Sequence, residues 1–496
     1  MREEMFCPTM NFTSPVAPES HEPVILNDVH SQLNPTQVAK VWEPKTLEEL
    51  RRMILDAARA GQRISVSGGR HAMGGQQFAT DSIHLDLSAL RRVLDADSTR
   101  GLLHIEAGAQ WPAIIAATQG MVAGDGRPWS IRQKQTGVDA VSLAGSISAN
   151  AHGRGMMMGP IVDHIENLTI IDARGEPVFC SREENAGLFS LVIGGYGLFG
   201  VIYSATLRLM PRQRLERVVD VIDLDDAQRA VYRRAEEGCV YGDFQFAIDT
   251  ADPRFLRRGV FACYRPVAAD DEEETPADLP KDTWLELLRL AHENKREAFR
   301  LYAQYYVSTD GKRYWSDTMQ LSTYIPTYVE FLEQSRAATH QDAVRETLVI
   351  GEHYVPREKL LDFMGEAKEI LLRHKTEVIY GTIRAIQKDS TTFLPWAKED
   401  FVCVIFNLRT PHTDEGRSLT EKTFRALIDA SNQKGGCFFL TYHRYATVRQ
   451  VETAYPNFRA WLQCKRHYDP DELFTSDWYQ HYRRAFEEES HHASGA

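Results

Sequence analysis

"VSGGRHAMGGQ", residues 66–76, sets four glycines around one histidine and grows out of the alternating run "RISVS" at 63–67. Upstream, "VAKVWEP" (38–44) reads as a short strand. Thr46, followed three residues later by Glu49, reads as a capping box; Leu47, Leu50, Ile54 and Ala58 recur at helical spacing, and Gly61 ends the helix. Strand, helix, strand predicts a crossover between parallel strands, and ligands of such units gather at the carboxyl ends of the strands. The glycine loop therefore falls where a ligand is expected. Without Cβ atoms, Gly68 and Gly69 can take positive φ and bring backbone amides up to an anion such as a pyrophosphate. A plain sharp turn is the alternative.

A second stretch poor in side chains, "LAGSISANAHGRG" (143–155), spaces Ser146, Ser148, Asn150 and His152 along its backbone. Two such segments suggest a long, phosphate-bearing ligand held extended. A literal GxGxxG occurs at Gly195, Gly197 and Gly200, with Asp220 about 20 residues on. Its context is wrong for a dinucleotide fingerprint, because the glycines follow a helical stretch and precede the strand "VIYSATLRL". P-loop, HExxH and GxSxG signatures are missing, and no metal-ligand spacing stands out.

Around these motifs the chain reads as α+β. "SIHLDL" and "LLHIEAGA" alternate as strands, "WPAIIAATQG" is a short helix, and "NLTIIDARGEPVFCS" is a hairpin turning at 173–175. Ser181 reads as the cap of a helix carrying Leu188, Phe189 and Val192. We expect an N-terminal extension (1–34), a first domain (35–212), a second domain of antiparallel sheet flanked by helices (213–450) and a C-terminal segment (451–496). "EVIYGTIRAI", "DFVCVIFNLRT" and "GGCFFLTYHRY" read as strands of the second domain, and "AADDEEETPADLP" (268–280) as a surface loop. "FRAWLQCKRHYDPDELF" reads as a helix and then a turn at Asp469 and Pro470.

With 496 residues, 43% hydrophobic and 25% charged, the composition is that of a soluble globular protein, with no apolar run long enough to span a bilayer. A net charge of −12 with both signs interspersed gives no cationic face for nucleic acid. Seven scattered cysteines without a CxxC spacing read as reduced thiols, and the acidic start lacks the pattern of an export signal, so a cytoplasmic protein is expected.

The order "SGGRHAMGGQ", "LAGSISANAHGRG", "SREENAGLFSLVIGGYGLFGVIYSATLRL" resembles the FAD-binding domain of the vanillyl-alcohol oxidase family, also called PCMH-type flavoproteins, over roughly residues 35–212. The resemblance is closest to histidyl-FAD aldonolactone and alditol oxidases and cytokinin dehydrogenases. It implies FAD as cofactor. By this resemblance Val66, Ser67, Gly68, Gly69, Arg70, His71, Ala72 and Gln76 cradle the pyrophosphate side. Gly137, Gly145, Ser146, Ser148, Asn150, His152 and Gly153 follow the cofactor toward the isoalloxazine, and Gly200 and Val201 lie near the adenine. His71 occupies the place of the histidine that bonds to the flavin 8α-methyl carbon in such members. A neutral imidazole is a competent nucleophile for that bond, and one that only hydrogen-bonds the cofactor is the alternative. The sequence departs from the family at Arg70, where relatives carry glycine, and that bulk bears on the loop's path. "QTGVDAVSLAG" has no cysteine for a second flavin bond. His152 resembles the histidine of a "THG" motif and is read as structural or flavin-facing; His30, His84 and His104 read as surface or core residues.

The family's second domain supplies substrate-binding and proton-handling groups from its strands, and its last residues return to the FAD domain. "TEVIYGTIRAIQKD" resembles the "SEIR"-type strand of alditol oxidase. Alternation puts Glu377, Ile379, Gly381 and Ile383 on one face and Tyr380, Thr382 and Arg384 on the other. Arg384 is the candidate anchor for substrate or reduced flavin, with a salt-bridging strand residue as the alternative, and Glu377 is the carboxyl candidate. His443, in the cluster Tyr442–His443–Arg444, is the candidate general base by residue type, against a histidine simply bonded in the sheet. Lys434 is a candidate together with Tyr314, Trp315 and Gln320, for which a core aromatic cluster is the alternative. The function implied is oxidation of a small sugar, lactone or alcohol by hydride transfer to flavin N5, with electrons passed to oxygen or another acceptor. The rivals are reduction of a carbon–carbon double bond by a nicotinamide donor and flavin binding without turnover.

Overall fold

The computed structural model describes residues 24–268, 279–322, 324–338 and 344–494. Cys7 and most of the acidic insert at 268–280 lie outside these described residues.

The crossover before the glycine loop is present with one strand more than expected. β1 (Lys40–Trp42) leads into α1 (Leu47–Arg59) and then β2 (Ile64–Ser67), but β3 (Ile83–Asp86) lies between the two strands and pairs parallel with both. Thr46 Oγ1 accepts from Glu49 N at 3.1 Å and caps α1. The Glu49 carboxylate turns back to Lys45 N, one residue short of a closed box. The helix buries Leu50, Ile54 and Ala57 and leaves Ala58 exposed. The chain's last segment returns to this sheet: Ile64 N donates to Leu473 O at 2.7 Å and Thr475 N to Ile64 O at 2.8 Å. The Asp469 carboxylate shapes that return by accepting from Leu473 N and Phe474 N, while pairing with buried Lys465.

A second, antiparallel sheet follows, with strands β4 (Val93–Asp97), β5 (Leu102–Glu106), β6 (Ile165–Ile171), β7 (Pro177–Ser181) and β8 (Val201–Arg208) in the order β7-β6-β8-β5-β4. Helices α2 (Trp111–Gln119), α3 (Leu143–Ser148) and α4 (Ala186–Val192) belong to the same part of the chain. Ser181 is not the cap of α4. Its Oγ accepts from Glu183 N and Glu184 N and closes a tight turn, and the cap position belongs to Asn185 at φ +50°, a left-handed conformation that asparagine tolerates. The glycines at 194–200 stand between α4 and β8, the order that is wrong for a dinucleotide fingerprint.

The third sheet has eight strands: β9 (Arg214–Asp223), β10 (Tyr241–Phe246), β11 (Arg258–Val267), β12 (Arg313–Trp315), β13 (Glu346–Pro356), β14 (Val378–Ile386), β15 (Phe401–Pro411) and β16 (Cys437–Phe438). Their order is β12-β9-β11-β10-β14-β15-β13-β16, antiparallel throughout. "GGCFFLTYHRY" contributes only Cys437 and Phe438 to it. Phe439 N still donates to Glu352 O of β13, but the segment then turns to the glycine loop, where Met73 N donates to Thr441 O. Helices α5 (Leu224–Glu236), α6 (Lys281–Glu293), α7 (Lys295–Ser308), α8 (Tyr324–Ala338), α9 (Leu360–His374) and α10 (Asp414–Asn432) accompany this sheet.

One apolar core is shared: Leu103, Ile147 and Phe189 from the earlier elements pack in the same cluster as Ile350, Tyr354 and Trp396. Leu348, Phe363, Val404 and Leu427 belong to a separate core. The glycine loops lie against the shared core.

Candidate active site

Both glycine-rich segments line one groove, which encloses about 1230 Å³ of empty space with its mouth included. Val66, Ser67, Gly68, Gly69, Arg70, His71, Ala72 and Gln76 form one wall; Gly145, Ser146 and Ser148 the next; Gly200 and Val201 one end. The glycine pair serves a purpose other than positive φ. A Cβ on Gly68 would stand 2.0 Å from Ser142 Oγ, and one on Gly69 2.2 Å from Ala140 O, so bare backbone lets the two segments press together. Arg70 carries the positive φ, +56°, which makes the departure at this position a left-handed arginine.

His71 lies in this groove with Nδ1 buried and without a hydrogen-bond partner. Burial, reinforced by His30, lowers its pKa to about 4, so the imidazole is neutral near pH 7. His30 also lines the groove, in a segment read from sequence as a mere extension. Asp28 Oδ1 accepts from the backbone of His30, Ser31 and Gln32, while Val29 N donates to Arg70 O at 3.0 Å and Asn34 Nδ2 to Met73 O at 2.8 Å. The knot thereby clamps the loop that carries His71. From the other side, Gln76 Nε2 donates to Leu440 O and Tyr442 O, and Phe439, Thr441 and Tyr442 become groove wall.

Three residues expected at the cofactor face elsewhere. Asn150 Nδ2 donates to Asp389 Oδ2 at 2.9 Å and its Oδ1 accepts from Val162 N, a structural tie. Gly153 N donates to Gln133 Oε1. His152 is held by Glu352 through Nε2 and by Gly153 O through Nδ1; with both ring nitrogens facing acceptors it is spoken for as a donor. His84 is likewise engaged, between Ser65 and Ser67, and His104 bonds Ser204.

A second chamber continues from the groove, sharing Gln135, Thr136, Ala151, Ile350, Phe439 and Tyr442 with it. Gly137 lies here and not in the groove. Sheet register builds the floor. Across β14, β15 and β13, Tyr380 faces Asn407 and Ile350, Thr382 faces Ile405 and Glu352, and Arg384 faces Cys403 and Tyr354. The expected alternation of β14 thus turns Tyr380, Thr382 and Arg384 into the chamber. Gln245 joins from β10 opposite Thr382, and Arg154 and Asp243 complete the charged wall. Burial works against the Arg154 guanidinium, but Asp243 and the phenols of Tyr264, Tyr306 and Tyr380 hold its pKa above the ordinary value. The Nε atoms of Arg154 and Arg384, Gln135 Nε2, Gln245 Oε1 and Asn407 Oδ1 are buried without partners. Such a set of waiting donors and acceptors suits a ligand with several hydroxyls.

Glu352 is the group that the sequence reading missed. Its carboxylate accepts from Tyr442 Oη at 2.9 Å, Tyr354 Oη at 2.8 Å, Cys403 Sγ at 3.0 Å and His152. Burial raises its pKa, yet the neighbouring His152 and these donors outweigh burial and hold it at about 2. His152, Glu352 and Cys403 offer ligand-type atoms within 4.8 Å of one another, but the carboxylate lone pairs are already taken by hydrogen bonds. A lone glutamate in the apolar strand "TLVIGEHYVP" was the available signal, since a buried charge needs partners.

The other catalytic candidates are placed outside the chamber. Glu377 pairs with Lys295 and Arg409. Lys434 pairs with Glu366 of α9. His443 stacks on Tyr445 at 5.1 Å, and burial lowers its pKa to about 4 despite Asp28. None of the three lines the groove or the chamber. Tyr314 packs with Tyr264 and Met319, so the aromatic-core alternative describes it.

A family model described as an FAD binding domain matches residues 38–181. The chain is 24% identical over 449 residues to the L-gulono-1,4-lactone dehydrogenase of Mycobacterium tuberculosis, covering 88% of this chain and 94% of the relative. It is 28% identical over 218 residues to cytokinin dehydrogenase 7 of Oryza sativa subsp. japonica, covering 40% and 39% of the two chains. L-gulonolactone oxidase of Bos taurus is 26% identical over 175 residues, 35% and 38% of the respective chains.

Proposed function

Because this chain is an FAD-binding oxidoreductase of the PCMH type, related to the aldonolactone dehydrogenases and oxidases, we propose that it oxidises a CH–OH carbon of a polyhydroxylated sugar or lactone. The observation that carries this reading is the chamber of unpartnered buried donors and acceptors opening directly onto the groove. On this reading residues 35–212 and 451–496 form the cofactor domain and 213–450 the substrate domain.

The groove fits FAD: a close-pressed glycine backbone forms one wall, and the unpartnered Nδ1 of a neutral His71 imidazole is available for a bond to the flavin. When bound, FAD supplies the two-electron acceptor for the C–H bond of the donor. Val66–Ala72, Gly145, Ser146, Ser148, Gly200 and Val201 hold it, and Gln76 fixes the loop they belong to. Arg384 and Arg154 orient the donor through its oxygens, while Gln245 Oε1 and Asn407 Oδ1 accept from its hydroxyls. Tyr442, on the boundary of groove and chamber, takes the hydroxyl proton as its own moves to Glu352. Removal of hydride from a CH–OH carbon leaves a strongly acidic protonated carbonyl, so even a carboxylate with a depressed pKa suffices. Bound FAD would hand the two electrons on to oxygen or another acceptor.

We assign the protein to the cytoplasm, in keeping with six unpaired cysteines among the described residues. No helix among the described residues is long and apolar enough to cross a membrane. The test is an anaerobic panel of aldonolactones, sugars and alditols with product analysis. The reading requires one carbonyl formed per flavin reduced; reduction only by a nicotinamide would replace it with the reductase reading.

A further inference from the structure

A third, mostly apolar cavity lies beside the chamber, between strands β10 and β14 and helices α6, α7 and α8. It encloses about 530 Å³ of empty space, its mouth included, and Phe246, Leu287, Leu288, Phe299 and Ile379 are among its walls. The reaction just described uses none of these residues. Gln245, Trp284, Tyr324 and Tyr380 line both cavities, so a single layer of side chains divides them. Tyr324 stands within it between Trp284, at 5.3 Å between ring centroids, and Tyr380, at 5.1 Å. The rings on the partition give the slot flat aromatic surfaces.

The cavity is not wholly apolar. Gln245 Oε1 and Tyr324 Oη are buried there without hydrogen-bond partners. A cavity lined by aliphatic and aromatic side chains, with only a few waiting polar atoms, suits a ring that bears one or two polar substituents. We propose that the natural donor carries an aryl group which lodges in this cavity while its hydroxylated part lies in the chamber under Arg384. This rests on the reading of the chamber as the site of CH–OH oxidation and names the substrate class more narrowly: an aryl-substituted polyol.

The test uses holoenzyme with three probes. Indole reports on the cavity alone, by calorimetry; 1-phenyl-1,2-ethanediol and 1,2-propanediol share a diol and differ in the ring, and their binding is read from the flavin absorbance. The expected result is that indole binds and that the phenyl compound binds at least ten-fold more tightly than propanediol. Ala291→Trp and, from a different helix, Ala298→Phe fill the cavity, and each should abolish indole binding and the ten-fold advantage without weakening propanediol. Using both guards against a failure of either to fold. Absence of indole binding, or equal affinity for the two diols, overturns the proposal. If indole binds and is lost in both variants while neither diol binds, the aryl cavity stands and the polyol reading of the chamber is what fails.

Discussion

Tyr442 donates its hydroxyl proton to Glu352 Oε2 at 2.9 Å, joining the irregular segment that walls the groove to the strand that floors the chamber. Burial and the adjacent carboxylate push the Tyr442 phenol well above its ordinary pKa, so it remains protonated, and the proposed mechanism has it exchange that proton for the donor's. Tyr442→Phe should therefore keep bound flavin and slow its reduction by the donor by about 10²-fold, within the usual range for a lost acid–base group. Stopped-flow reduction at saturating donor measures this, and an unchanged rate would remove Tyr442 from the proton path.

His71→Ala should leave FAD bound in the groove but release it on acid precipitation, whereas wild-type protein should retain yellow colour in the washed pellet. The orphaned Nδ1 and the neutral ring support this expectation. Colour retained in the variant's pellet would assign the bond to another residue.

Gly69→Ala places a methyl group against Ala140 O, where backbone cannot yield cheaply. The variant should be purified with most of its FAD missing, read from the ratio of flavin to protein absorbance. Wild-type loading would contradict the close approach of the two segments.

Stability should fall as pH drops. His30, His71, His84 and His443 are held neutral to about pH 4, and His164 and His353 to about 3, because burial penalises their charged forms. Between the ordinary histidine value near 6.5 and those depressed values the unfolded chain binds more protons than the folded one. Stability is thus present above about 6.5 and is lost on acidification, by about 1.4 kcal/mol per pH unit for each titrating ring. Glu352, held at about 2, adds loss of the same sign below the ordinary carboxylate value. Denaturant melts from pH 7.5 to 5 should show the midpoint falling steadily, and a flat profile would contradict these burial assignments.

The groove was legible because its signal is local: bare glycines after a strand, with His71 among them, need no knowledge of distant chain. The chamber was only half legible. Alternation along β14 correctly turned Arg384 inward, but Glu377, beyond the start of that strand and next to a register shift at Val378/Tyr380, finds its partners in Lys295 and Arg409. Glu352 escaped because its role depends on four donors from separate stretches, which no spacing reveals. His443 misled because residue type suits a base while position decides access. "GGCFFLTYHRY" has a strand's composition, yet after Phe439 its carbonyls bond to the glycine loop, a tertiary preference that overrides propensity. The Asp28 knot carries no motif at all, only turn chemistry that acquires meaning once Arg70 and Met73 lie beside it.

Arg384 projects from β14 into the chamber beside the groove, so the decisive measurement is anaerobic reduction of wild-type and Arg384→Met holoenzyme by a panel of aldonolactones, sugars and alditols, with NADPH in parallel. The expected result is bleaching of the wild-type flavin by at least one of these donors and not by NADPH, with the variant retaining its flavin but bleaching with that donor at least about 10²-fold more slowly. Equal rates in the two proteins, or bleaching by NADPH alone, would contradict donor oxidation in this chamber.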